Sequence, residues 1–237
     1  LGNDAALGTG NLTVNGGALT TSAPLTLAND ITLHAGLSLS GQQALTFDGT
    51  LSGAGGLTRN GTGSLTLNGA NRFGGGTTVN GGSLVVGNDT ALGTGALSID
   101  GASLQAGMPV TLANDVNIGA RGATVTGVQD LTLDGNLAGS GGLVKSGSGR
   151  LMLRGLLARF NGTLAVDAGT LVASQPYQGG ISVGAGATAD LGGLANVLSV
   201  GGRIAGTRNP RGYSRRGESY RDRPSVTGLG DGSGPGR

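Results

Sequence analysis

The chain has 237 residues, enough for one sizeable core or an elongated array. Glycine fills 52 positions and charged residues only 12%, and the absence of Cys excludes disulfides and thiolate metal sites. The net charge of +2 averages two unlike parts: through Gly202 seven basic residues face ten acidic ones, and from Arg203 eight Arg face three acidic residues, so the body offers no electrostatic footprint for nucleic acid.

Leu, Val and Ile recur at regular intervals, which sets the chain apart from polar low-complexity sequence. No stretch approaches the ~18 continuous apolar residues of a membrane helix. Leu1-Gly2-Asn3-Asp4 is already repeat sequence, with no initiator Met or signal peptide, so the chain reads as a mature form or a segment of something longer. Residues 1 to 16, LGNDAALGTGNLTVNG, return at 86 to 101 as VGNDTALGTGALSIDG. Leu25-Thr26-Leu27 answers to Val110-Thr111-Leu112, Leu45-Thr46-Phe47 to Leu131-Thr132-Leu133, Phe73 to Phe160 and Val79 to Val166. Residues 1–85 and 86–172 are therefore two copies of one long unit.

A shorter period of about 20 residues runs inside each copy, marked by Leu25, Leu45, Leu65 and Leu84 and by Val110, Leu131, Leu151 and Leu171. Between these points lie apolar-polar alternations such as Leu65-Thr66-Leu67 and Thr77-Thr78-Val79, the mark of strands with one buried face. The corners, Asn60-Gly61, Asn68-Gly69 and Asn80-Gly81-Gly82, use residues that tolerate positive φ. A 20-residue period with about three short strands fits one coil of a solenoid. The reading is all-β: a single-stranded right-handed parallel β-helix of about ten coils, with Leu, Val and Ile stacked inward and Thr outward. A β-sandwich is the competing fold and would need hairpins. Residues 1–202 form the solenoid, with degenerate coils over 173–202. Residues 203–237 form an Arg/Gly/Pro-rich disordered tail, either a linker or translation in a shifted frame.

Gly55 to Val86 carries a resemblance. Gly56, Leu57, Arg59, Gly61, Gly63, Leu65, Leu67, Gly69, Asn71, Phe73, Gly75, Thr77, Val79, Gly82 and Leu84 are similar to the passenger-associated transport repeat of bacterial autotransporters. A second copy, from Lys145 to Leu171, is degenerate. Arg159 stands where the family has Asn, and Leu156-Leu157 disturb the corner. The resemblance implies a passenger exported through an outer-membrane translocator barrel, which this chain does not contain, and presented at the surface of a Gram-negative bacterium. It also implies support of secretion and folding, adhesion or aggregation, and host or bacterial surface molecules as further partners.

The residues themselves offer little chemistry. His34 is the only His and suits an exposed corner. Gly180-Ile181-Ser182-Val183-Gly184 matches a nucleophile elbow in letters, but no helical pattern follows Ser182. Asp4, Asp30, Asp89 and Asp115, each beside Asn, read as corner caps rather than calcium ligands. The few basic residues of the body fall mostly at corners. No catalytic, cofactor or metal residue is assigned, and the chain reads as a structural and interaction module, not an enzyme. The competing function is a carbohydrate-active β-helix enzyme, which would gather Asp with Arg or Lys on one face across neighbouring coils.

Overall fold

The computed structural model describes residues 1–177, 179–191, 196–200 and 203–205. Short apolar-polar alternations become strands of two to five residues, and every pairing between them is parallel, which removes the sandwich. Each strand bonds to the strand about 20 residues on. Leu25 sits beside Leu45, Leu45 beside Leu65, Leu65 beside Leu84 and Leu84 beside Leu104. The chain is a parallel β-solenoid. Its longest sheet has ten strands, a stack of roughly 43 Å at ~4.8 Å per coil.

Three faces alternate along the chain. The first face begins with Leu12–Val14, Ile31–Leu33 and Leu51–Ser52; the second with Gly17–Thr20 and Leu37–Ser40; the third with Leu25–Leu27 and Leu45–Phe47. The second and third faces run on as sheets of eight and ten strands. The first is interrupted over residues 70–73 and 88–95, where no strand forms, and resumes as a second sheet at Val110–Leu112. Arg72 N donates to Leu51 O, and Thr94 N to Phe73 O, so the stack stays continuous through the gap.

The interruption reveals the true size of the long repeat. From Leu12 to its copy Leu97 the chain passes thirteen strand positions, counting the two left without a strand, and that is four coils and one face more. Leu12–Val14 accordingly lies on the first face and Leu97–Ile99 on the second; Leu57–Arg59 lies on the second and Leu143–Lys145 on the third. Equivalent residues of the two copies occupy successive faces.

Inward positions make aliphatic rows, and their burial is the main favourable term: Leu27, Leu33, Leu39, Leu65 and Leu84 are fully buried, each contributing about 2–3 kcal/mol. Two rows hold a cation. Arg59 stands between Leu39 and Val79, and Lys145 between Val125 and Val166. Both are buried, which corrects the expectation that basic residues keep to corners. Arg59 Nη2 donates to the carbonyls of Gly41 and Gln43 at 3.1 Å and Nε to Gly63 O at 3.3 Å, so the guanidinium fills a corner whose carbonyls lack strand partners. Lys145 Nζ donates to Gly147 O at the matching corner. Burial pulls both below their ordinary pKa values, with Asp130 opposing the shift at Lys145.

Many corner glycines serve close contact rather than positive φ. Gly61 and Gly63 have ordinary φ, and a Cβ on either would collide with backbone of the coil beneath, at Gly41 and Gln43. Near the far end, Tyr177 takes the second-face position without a strand. Its ring packs 5.7 Å from Phe160, and its hydroxyl donates to Gly162 O. Burial pushes the Tyr177 phenol up to about 12 from its ordinary 10. A raised folded pKa leaves this contribution whole below about pH 10 and removes it as pH rises through the folded value. Alkaline unfolding followed by circular dichroism should show stability falling across that window, and Tyr177→Phe should abolish the fall.

Strands at Asn196–Val200 and Arg203–Ala205 continue the third and first faces. The second falls just past the expected boundary at 202. The disordered tail is expected over residues that, from 206 to 237, lie outside those described.

Candidate functional site

The Asp and Asn residues at the corners prove to be ties between coils. Asp4 accepts from Thr26 N, and its copy Asp89 from Thr111 N, both at 2.7 Å. Asn29 Nδ2 donates to Gly8 O and Gly10 O, and its copy Asn114 to Gly93 O and Gly95 O. Asn3 and Asn88 also cap their own corners, through Ala5 N and Thr90 N, and Asn88 Nδ2 donates to Asn68 O and Gly69 O of the coil before. The near-identity of GNDAALGTG and GNDTALGTG is thus explained by structure. The repeated Asn and Asp side chains there each close a bond to their own corner or to the next coil.

Asn71 is the strongest tie. It is buried, accepts from Leu51 N at 2.7 Å and donates to Ala91 O at 2.6 Å, so one side chain bridges three coils where the first face lacks a strand. In the second repeat the equivalent inward position, two residues after the corner glycine, is Leu157, which is buried. Arg159 is exposed, like Arg72, directly before the buried Phe. This corrects the placing of Arg159 in the Asn position. The corner survives because Leu137 N bonds the Leu156 carbonyl instead.

The surface gathers little that could do chemistry. Ser182 lies in the middle of the strand Gly180–Val183, beside Ala165, so its five-residue motif makes no elbow. His34 is exposed. Among the described residues no group of three or more His, Cys, Asp or Glu could hold a metal ion. Three depressions stand out. One of about 460 Å³, at the corner between the second and third faces, is lined by small residues such as Gly101, Ala102 and Ser103, and Arg121 is its one titratable side chain. Another contains Asp4 alone, and the third, at the N-terminal mouth of the core, has none.

Among the described residues two cation-carboxylate pairs span neighbouring coils: Arg121 with Asp100 at 3.0 Å and Arg154 with Asp134 at 3.5 Å. The Arg121 backbone N–H holds the Asp100 carboxyl below the usual range, and the Thr50 hydroxyl and N–H do the same for Asp30. Both are anions that accept bonds, the wrong state for a general acid. Each pair presents a single carboxylate, whereas glycoside hydrolysis generally calls for two facing one bond.

The outward positions of the strands alternate with the buried ones and are mainly Thr and Ser over the first half of the stack. Ser38, Thr58, Thr78 and Ser98 line up on the second face, and Thr26, Thr46 and Thr66 on the third. On the second face an amide chain runs beside the hydroxyls, Asn80 donating to Asn60 and Asn60 to Ser38. The described residues offer an extended lateral surface.

A family model described as passenger-associated-transport-repeat matches the chain twice, at residues 57–86 and 143–173. No curated protein and no solved structure matches it.

Proposed function

Because the chain carries two passenger-associated transport repeats in a parallel β-solenoid, the build of an autotransporter passenger, we propose that it is a structural, non-catalytic segment displayed on the surface of a Gram-negative bacterium, where it supports export and mediates adhesion or aggregation. The observation that carries this reading is the stack itself. The strand ladders join each coil to its immediate neighbours, so stability accumulates coil by coil and a chain emerging through a translocator barrel can fold as it arrives. The interior is closed by aliphatic rows and the exterior is a polar lateral surface, suited to contact along its length. Its partners are the translocator barrel and molecules of host or bacterial surfaces.

The test is display. The chain, fused between an export signal and an outer-membrane barrel, should reach the cell surface and become accessible to external protease. Removing residues 57–86 should cut the surface yield several-fold, and cells displaying the intact chain should settle faster than cells displaying the barrel alone. Equal surface yield without residues 57–86 would refute the role in export, and unchanged settling and host-cell binding would refute the role in adhesion.

A further inference from the structure

The two family repeats share their inside and differ outside. Leu65 and Leu67 of the first answer to Leu151 and Leu153 of the second, and all four are buried. The outward residues before, between and after them change together: Ser64, Thr66, Asn68 and Ala70 become Arg150, Met152, Arg154 and Leu156. Duplication supplies the control, since one scaffold carries both sets. The first set is neutral and hydrophilic or small; the second alternates cations with large apolar side chains.

Their placement makes this one surface. Arg150–Leu153 lies on the first face with Leu151 and Leu153 inward, which turns Arg150 and Met152 outward. Met152 sits beside Val172 of the next coil, another outward apolar residue. Leu156 follows at the corner and is 58% exposed, an unusual exposure for a large apolar side chain in this chain. Arg154 pairs with Asp134, and its Nε lies 3.0 Å from the Met152 sulfur. Asp130 accepts from the backbone N–H of Arg150, and the Arg150 guanidinium has no ion-pair partner among the described residues.

We propose that Arg150, Met152, Arg154 and Leu156 form a docking surface for an anionic lipid bilayer. Phosphate-bearing headgroups satisfy the Arg150 guanidinium and share that of Arg154 with Asp134, and the boundary beneath them takes Met152 and Leu156. The apolar pair decides between occupants: a soluble polyanion is held by cations alone and gives no reason to leave Met152 half-buried on the outward side and Leu156 exposed. The surface lies on the solenoid wall, so the rod docks sideways.

The test is flotation of the full chain with phosphatidylcholine vesicles, with and without phosphatidylglycerol. Binding to the anionic vesicles should exceed binding to neutral ones by about tenfold or more. Changing Arg150→Ser, Met152→Thr, Arg154→Asn and Leu156→Ala together gives the second repeat the outward residues of the first and should remove the preference, with the β-sheet circular dichroism unchanged. The cation pair and the apolar pair, changed separately, should each weaken binding. Equal binding to both vesicles, binding to neither, an undiminished fourfold variant, or capture by soluble heparin with no binding to vesicles would overturn the proposal.

Discussion

Gly61→Ala is expected to destabilise the solenoid by about 3 kcal/mol or more, while Gly36→Ala leaves it unchanged or slightly more stable. Both are glycines near corners, and neither has positive φ. They differ in what a methyl group would meet. At Gly61 it would strike the Gly41 carbonyl of the coil beneath, backbone that cannot swing aside as a side chain would; at Gly36 nothing lies within 4 Å. Relief at Gly61 requires the coils to part at that corner, which strains the adjacent ladders Leu57–Arg59 and Ser64–Leu67. Urea unfolding of the three proteins measures the difference. A Gly61→Ala protein as stable as the parent would mean that the corners are not in close contact.

Asn71→Leu is expected to cost about 3–5 kcal/mol, because it leaves the Leu51 N–H and the Ala91 carbonyl buried without partners, each at about 1–3 kcal/mol, and misfits the space between them. Volume alone does not explain the choice of residue, since Leu occupies the equivalent position at 157. What differs is the partner of the strand beneath. Leu137 N finds the Leu156 carbonyl, whereas Leu51 N finds the Asn71 side chain. Asn80→Leu, on the exposed amide row, should cost well under 1 kcal/mol by comparison. Thermal unfolding of the two variants separates them, and similar losses would show that the buried position has no special role.

The solenoid was legible because its determinants are local and repeated. A Leu-Thr-Leu triplet states its own inside and outside, and a 20-residue interval stacks one triplet on the next. Arg59 and Lys145 escaped because a charged residue in an alternating strand reads by default as outward. The corner carbonyls at Gly41, Gln43, Gly63 and Gly147 make an inward cation tolerable, and pattern does not reveal them. The Gly corners were placed correctly but for an incomplete reason, since composition does not separate a glycine that needs positive φ from one pressed against backbone. The Asp ties were assigned to their own turns because their true partners lie some 20 residues away. The candidate surface depends on comparing outward residues between copies, which is informative only once inside and outside are known. The rotation between copies had a trace in the arithmetic, since an 85-residue offset is not a whole number of 20-residue periods.

That rotation bears on how a gene for such a rod can change length. Duplicating or deleting one long unit keeps every strand in frame with the stack, because thirteen strand positions fit the wall as well as twelve would. It does not restore the view from outside. All that follows the event turns by one face relative to all that precedes it, and three such events are needed to bring the original side back. A recombination that leaves the fold intact therefore re-aims everything displayed beyond it, so changes in length also change which side of the fibre meets its surroundings.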